Sequence, residues 1–462
     1  MKAKNQRILS AGLAAALLSA ATACGGKDTP DTSSTAAAGD TGVYFLNFKP
    51  EIAQIYQRVA DAYREETGIT VTVNTAASGT YEQTLKSEIA KSEAPTIFQI
   101  NGPVGYQSWK DYCANLENTS LYSHLTDKSL AVQGEGGVYG IPYVVEGYGV
   151  IYNNEILERY FALPDKTVSI ASADEIRNFE TLRSVVEDMS AHKEELGIQG
   201  VFASTSLSAG NQWRWQTHTA NLPLYYEFKE KGGEPLLTGL QAGTIEFRYA
   251  ENFRNIFDLY LENSTAAPGL LGGKSVADSM AEFALGQAAM VQNGNWAWSE
   301  ISGVEGNVVK ADDIRFLPIY TGMPDEEKQG LCVGTENYLA INAKVSPEKQ
   351  KASADFLDWL FTSAKGKEFV SKELGFIAPF DTFTDEEKPA DPLAREVLRW
   401  MEEDDVTSVP WTFASFPSEE FKNYFGDALL EYAQGAMDWD EVVNIVKSSW
   451  ESERGRMQAS GA

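Results

Sequence analysis

Two short stretches gather side chains able to hold a ligand with apolar faces and a polar rim. Residues 283–298 read FALGQAAMVQNGNWAW: a small, apolar run gives way to the amides of Gln292, Asn293 and Asn295 and to the indoles of Trp296 and Trp298. Residues 212–216 read QWRWQ, where Trp213 and Trp215 alternate with polar neighbours. Indole faces cover C–H surface, and amides and carboxylates offer paired hydrogen bonds. The alternation in QWRWQ also suits a half-buried element with one ring turned inward. VPWTFASFP adds Trp411 and Phe413 in a loop ahead of a helical pattern. Near the start of the chain, Asn47, Lys49 and Glu51 follow an apolar run; Glu51 also suits the first turn of a helix, where it would favour the dipole.

Other reactive-looking groups do not converge. The runs Asp325-Glu326-Glu327, Asp385-Glu386-Glu387 and Glu402-Glu403-Asp404-Asp405 lack the spacing of a calcium loop and read as solvated loops and helix starts. His124, His192 and His218 lie far apart in sequence and there is no CxxC, so no metal site and no cofactor is expected. Beyond Cys24 only Cys113 and Cys332 remain; they could form one bridge, but they read more simply as small buried hydrophobes. The formal charge of −28 excludes a nucleic-acid surface, whose phosphates need a Lys/Arg face.

The elements that must position these groups alternate. Val43–Phe48 is β-branched and aromatic, a strand; Ile52, Ile55, Val59 and Ala62 keep helical spacing up to Gly68; ITVTVNT alternates as a strand. A helix from the Ser/Thr-rich SGT to Pro95 and the strand TIFQI complete a β-α-β-α-β order, which predicts an α/β lobe with parallel pairing. Ligands then collect beyond the carboxyl ends of the strands, at residues 47–51, 75–81 and 101–103. In FALGQAAM the small residues predict a helix ending at Met290, with Gly294 allowing a tight turn. The N-terminus has Lys2, Lys4 and Arg7, then a small apolar run shorter than the roughly 20 residues of a membrane span, then Cys24: a secretory signal. Residues 24–41, rich in Gly, Ser, Thr and Asp, read as a flexible tether. At 462 residues, the chain is long enough for two lobes.

Four segments in order carry a resemblance: AYREETGITVTV, VYGIPYVVEGYGVIYNNEIL, FALGQAAMVQNGNWAW and NYLAINAKVSPEKQKASADFLDWLFTSAKGKEFV. Together they resemble the solute-binding proteins of ABC importers, in particular the oligosaccharide-binding group that includes the maltose-binding proteins. Asn154 and Gln287 stand where that group usually has Lys, and Thr96 where it has Asp. Thr22-Ala23-Cys24 resembles its lipobox, which implies lipidation of Cys24.

The resemblance implies an α/β, two-lobed fold, each lobe a mainly parallel sheet flanked by helices, hinged by crossovers near 145–151, 313–320 and 358–362. Its expected parts are a signal peptide over 1–23, the tether 24–41, a first lobe of 42–148 with 317–360, and a second of 149–316 with 361–462. It implies a monomer, lipid-anchored on the outer face of the cell membrane, that captures a short oligosaccharide and delivers it to permease subunits. Rings and amides at the lobe rims would hold the sugar: Trp296 by the family's stacking position, with Asn293, Asn295, Trp213, Trp215 and Trp411 beside it, and Trp298 as packing. Asn47, Lys49, Glu51, Tyr81 and Asn101 would face it from the first lobe, and Glu146, Tyr148, Glu336 and Asn337 from the crossovers. A polyamine ligand on the same fold is one alternative. A secreted glycoside hydrolase is another, because a pair of acids leaves no sequence signature.

Overall fold

A computed structural model describes residues 42–77 and 79–460; Cys24, the signal segment and the tether lie outside the described residues. The chain opens with β1 (Val43–Asn47), β2 (Val71–Thr75) and β3 (Ile97–Ile100), then a small hairpin of β4 (Val132–Gly134) and β5 (Gly137–Gly140). Next come β6 (Glu146–Asn153), β7 (Gly200–Phe202), β8 (Ala288–Gly294), β9 (Ile314–Leu317) and β10 (Gln329–Gly334), with β11 (Tyr338–Ile341) and β12 (Thr407–Pro410) last.

These form two principal sheets. The smaller runs β11-β3-β1-β2, with β1 parallel to β2 and β3, as the β-α-β-α-β pattern requires, and β11 antiparallel at the edge. Helix Ala53–Thr67 turns Tyr56, Val59, Ala60 and Tyr63 inward and stops at Gly68, whose φ of 76° a glycine adopts without strain. Tyr63 meets Phe356 of helix Pro347–Thr362 edge-on at 5.1 Å, so two helices cover this sheet together.

The larger sheet runs β12-β10-β6-β8-β7, with β9 sharing the β10 edge of β6. All of β6 is buried, with Val150 and Tyr152 turned into one core and Ile151 into another. Because β6 runs antiparallel to β8 and β10, its start lies beside their ends: Glu146 opposes Gly334 and Tyr148 opposes Gly294. β12 runs parallel to β10 and ends beside it at Pro410.

Three sequence readings change here. The helix in FALGQAAM ends at Ala284, Gly286 makes the turn at φ 69°, and residues 288–294 form a strand. Gly294 is extended, and its need for glycine has another cause: a Cβ there would lie 2.1 Å from the Trp296 ring, which folds back over it. β9 and β10 belong to the larger sheet, so the chain passes between sheets at 335–337, not 313–320, and helix Pro347–Thr362 lies wholly against the smaller sheet. Glu326 is buried rather than solvated: its carboxylate accepts from the amides of Phe179, Thr321, Gly322 and Met323. Cys113 and Cys332 are both free and buried, and burial pushes each thiol up to about 12.

Candidate binding cleft

The ends of the two sheets come together, and the polar and aromatic groups sit there. A Cβ on Gly79, beyond β2, would lie 2.8 Å from the Gly210 carbonyl oxygen, and one on Gly102, beyond β3, would lie 3.2 Å from Ala414. The Lys49 ammonium, just past β1, sits 5.5 Å from the Trp296 ring centroid, just past β8.

The centre of this junction is a buried ion cluster. Lys49 Nζ is 2.7 Å from Glu146 Oε1 and 3.7 Å from Glu51 Oε1. Burial opposes the Lys49 charge, but Glu146 and Glu51 outweigh it and hold its pKa above the ordinary value. Burial also raises Glu51, with Lys49 acting against it. Glu336 is pushed up to about 7 by burial, only partly offset by Lys422 and Lys49. Lys422, on helix Glu419–Ala433, is buried beside Glu419 at 2.6 Å. A cavity of about 300 Å³ opens beside the cluster, its wall including Glu51, Glu146, Asn295, Trp296, Trp298 and Asp391. Burial pushes the Asp391 carboxyl up to about 7.

The rings cluster around His218. The Trp213, Trp296, Trp411, Phe413 and Tyr148 centroids lie 5.1, 5.4, 5.9, 5.0 and 4.6 Å from its own. A π-helical turn over residues 214–219 causes this: the Ala220 amide reaches back to the Trp215 carbonyl, and the widened turn puts the Trp213 carbonyl 3.2 Å from His218 Nδ1. Burial pushes the His218 imidazole down to about 3, so it is neutral near pH 7.

The expected site residues divide. Lys49, Glu51, Glu146, Asn295 and Trp296 share the cavity wall, while Trp213 and Trp411 stand against Trp296 at 6.1 and 6.5 Å. Asn101 donates to Glu336 at 3.4 Å and its Oδ1 has no partner among the described residues. Others serve the scaffold. Trp215 is 1 % exposed among Phe253, Phe257 and Tyr260, and its indole N–H donates to Thr205: it is the inward ring of the pair. The Tyr81 hydroxyl donates to the Leu46 carbonyl and accepts from the Gln99 amide. Asn47 closes its own turn, donating to the Lys49 carbonyl and accepting from the Lys49 amide. Asn293 is buried against Met280, and Asn337 is buried with φ at 60°. Tyr148 donates to the His218 carbonyl and supports the cluster from below. Trp298, expected as packing, reaches the cavity wall as well. His218 and Lys422 escaped the sequence reading as site residues: one histidine just after a pair of tryptophans and one lysine in an acidic helix carry no pattern. The nearby pair of tryptophans was a hint, but the π-helical turn that brings His218 to them is visible only in the structure.

Two α/β lobes meeting by their strand ends over an aromatic and ion-paired cleft define a clamp that holds a solute. The chain belongs to the bacterial extracellular solute-binding proteins, whose family model matches residues 58–423. Among solved structures, it is similar to a chitin oligosaccharide binding protein (TM-score 0.69, 16% identity, covering 90% of this chain and 99% of that one). A solute-binding protein in complex with raffinose gives a TM-score of 0.67 at 16% identity, covering 89% of this chain and 99% of the other. The maltose-bound MalE3 of T. maritima gives 0.64 at 16% identity, with coverage of 89% and 99%. These likenesses show the fold. No helix among the described residues is long and apolar enough to cross a membrane.

Proposed function

We propose that the protein captures a short oligosaccharide between its lobes and delivers it to the permease of an ABC importer. One observation carries this reading: three indoles, Trp213, Trp296 and Trp411, stand together at the junction of the sheets, beside the buried charges of Lys49, Glu51 and Glu146. A pyranose has C–H faces for the rings and a hydroxyl rim for the charged groups. Enclosure between lobes makes each unpaired hydroxyl costly, which is the source of selectivity. The raffinose, maltose and chitin-oligosaccharide names of the similar structures agree with this choice of ligand.

In this reading one lobe comprises 42–144 with 338–380 and the other 146–334 with 391–460. The passages at 335–337 and near the Val145–Ile377 bridge act as hinges. The permease meets a monomer whose two lobes are fixed together by closure on sugar. Cys24, acylated after removal of 1–23, tethers the clamp to the outer face of the membrane. The protein binds its sugar without altering it.

Calorimetry of the purified protein against maltotriose, raffinose, chitotriose and spermidine tests the ligand class. Saturable heat with a sugar and none with spermidine is expected; the reverse result overturns the reading. Sugar analysis after long incubation should return the input intact, whereas cleaved product would point to a hydrolase. Labelling cells with an alkyne fatty acid should mark the wild type and not Cys24→Ala.

A further inference from the structure

His218 sits in a cage of rings, and its hydrogen bonding is half complete. Among the described residues the partner at Nδ1 is the Trp213 carbonyl, 3.2 Å away, which can only accept. Nδ1 therefore carries the proton, and the neutral ring leaves Nε2 as a bare acceptor. His218 is 5 % exposed, and Nε2 is buried with no partner among the described residues. On the adjoining ring, the Trp411 indole nitrogen is also buried with no partner among the described residues, and it can only donate. One aromatic cluster thus holds an unpaired acceptor and an unpaired donor. Buried polar groups without partners are costly and seldom kept.

The two absences are complementary. A hydroxyl both donates and accepts, so polyhydroxylated rings satisfy both groups, whereas an ammonium ligand could serve only His218 and a carboxylate only Trp411. Trp296 also walls the cavity of about 300 Å³, so its indole is the side of the cage that borders open space.

Resting on the oligosaccharide reading above, we propose that His218 is a ligand-binding, specificity-determining residue. Its Nε2 accepts a hydrogen bond from a sugar hydroxyl, while Trp411 Nε1 donates to a neighbouring sugar oxygen. The cage then selects for a hydroxyl at one ring position, and a sugar deoxygenated there loses both the contact and its affinity.

The chain has 3 histidines, so the imidazole nitrogens of His218 can be resolved by nitrogen-15 NMR from those of His124 and His192. The labelled protein is titrated with maltotriose, raffinose and chitotriose. With whichever binds, the His218 Nε2 resonance should start as an unprotonated acceptor and move on saturation, while His124 and His192 stay still. His218→Phe and Trp411→Phe should each weaken that sugar roughly tenfold or more. If either variant fails to fold, the wild-type titration decides alone. Sugar binding with an unmoved Nε2, or with Nδ1 unprotonated, overturns this inference and leaves the oligosaccharide reading standing. No binding of any of the three sugars removes both.

Discussion

Glu326 and Glu336 are acids on the same stretch of chain, and the fold treats them in opposite ways. Glu326, in the loop before β10, is surrounded by the amides of Phe179, Thr321, Gly322 and Met323, all donating to its carboxylate. Glu336, in the passage to β11, has the Asn101 amide at 3.4 Å, and loss of water pushes its carboxyl up to about 7. Trp215 and Trp213 repeat the contrast. Trp215 is packed on every side and its N–H is paired, whereas Trp213 keeps part of its surface free and faces Trp296. In the scaffold, Glu326 and Trp215 have their polar atoms paired, though among the described residues others such as Trp439 Nε1 and Tyr320 Oη do not. Where the sheets meet, Asn101 Oδ1, Thr335 Oγ1, Trp411 Nε1 and His218 Nε2 have no partner among the described residues. What sets the junction apart is that these atoms gather beside the rings and the ion cluster rather than standing singly.

Substitutions can break this contrast, and the scaffold acid should give the largest effect. Glu326→Ala leaves several buried amides without an acceptor and should cost about 4 kcal/mol of unfolding free energy in a denaturant titration. Glu336→Ala should cost about 1 kcal/mol or less by the same measurement while altering sugar affinity. Equal losses in the two would erase the distinction. The tryptophan pair comes next. Trp215→Ala should lose about 3 kcal/mol of stability by opening a core cavity. Trp296→Ala and Trp213→Ala should instead lose about 2 kcal/mol of binding free energy, roughly 30-fold in Kd by calorimetry, with a smaller change in stability.

A smaller effect is the pH dependence of Glu336. Its pKa is raised from 4.5 to about 7, so the folded state holds its proton more tightly than the unfolded chain does. The resulting stability is fully present below pH 4.5 and is lost as pH rises through 7. Relative to Glu336→Gln, which cannot titrate, the wild type should lose stability over that interval; a constant difference across it would show that Glu336 is not desolvated. Smallest of all, Asp385→Asn in the exposed acidic run should change stability by less than about 0.5 kcal/mol.

The first lobe was legible because its pattern is local. A β-branched strand, a helix stopped by Gly68 and an alternating strand each announce themselves within a few residues, and the parallel order follows. The strand at 288–294 was not. Ala288, Ala289 and Met290 favour helix, and insertion between β6 and β7 overrides that preference. Trp296 and the Lys49–Glu51 turn could be placed because they follow strand ends. Which ring of QWRWQ turns inward is set by a π-helical turn with no sequence signal, and that turn also recruits His218. Glu326 was hidden in a charge run because its donors are backbone amides, three from the turn just before it and one, Phe179, from a distant segment.

The most direct test of the central claim is a crystal structure of the protein with the sugar that calorimetry selects. A pyranose should lie on the Trp296 indole, touching Lys49 or Glu51 from one sheet end and Glu146, Trp213, His218 or Trp411 from the other. A sugar bound elsewhere, with Trp296 uncontacted and His218 Nε2 still unpaired, would contradict it.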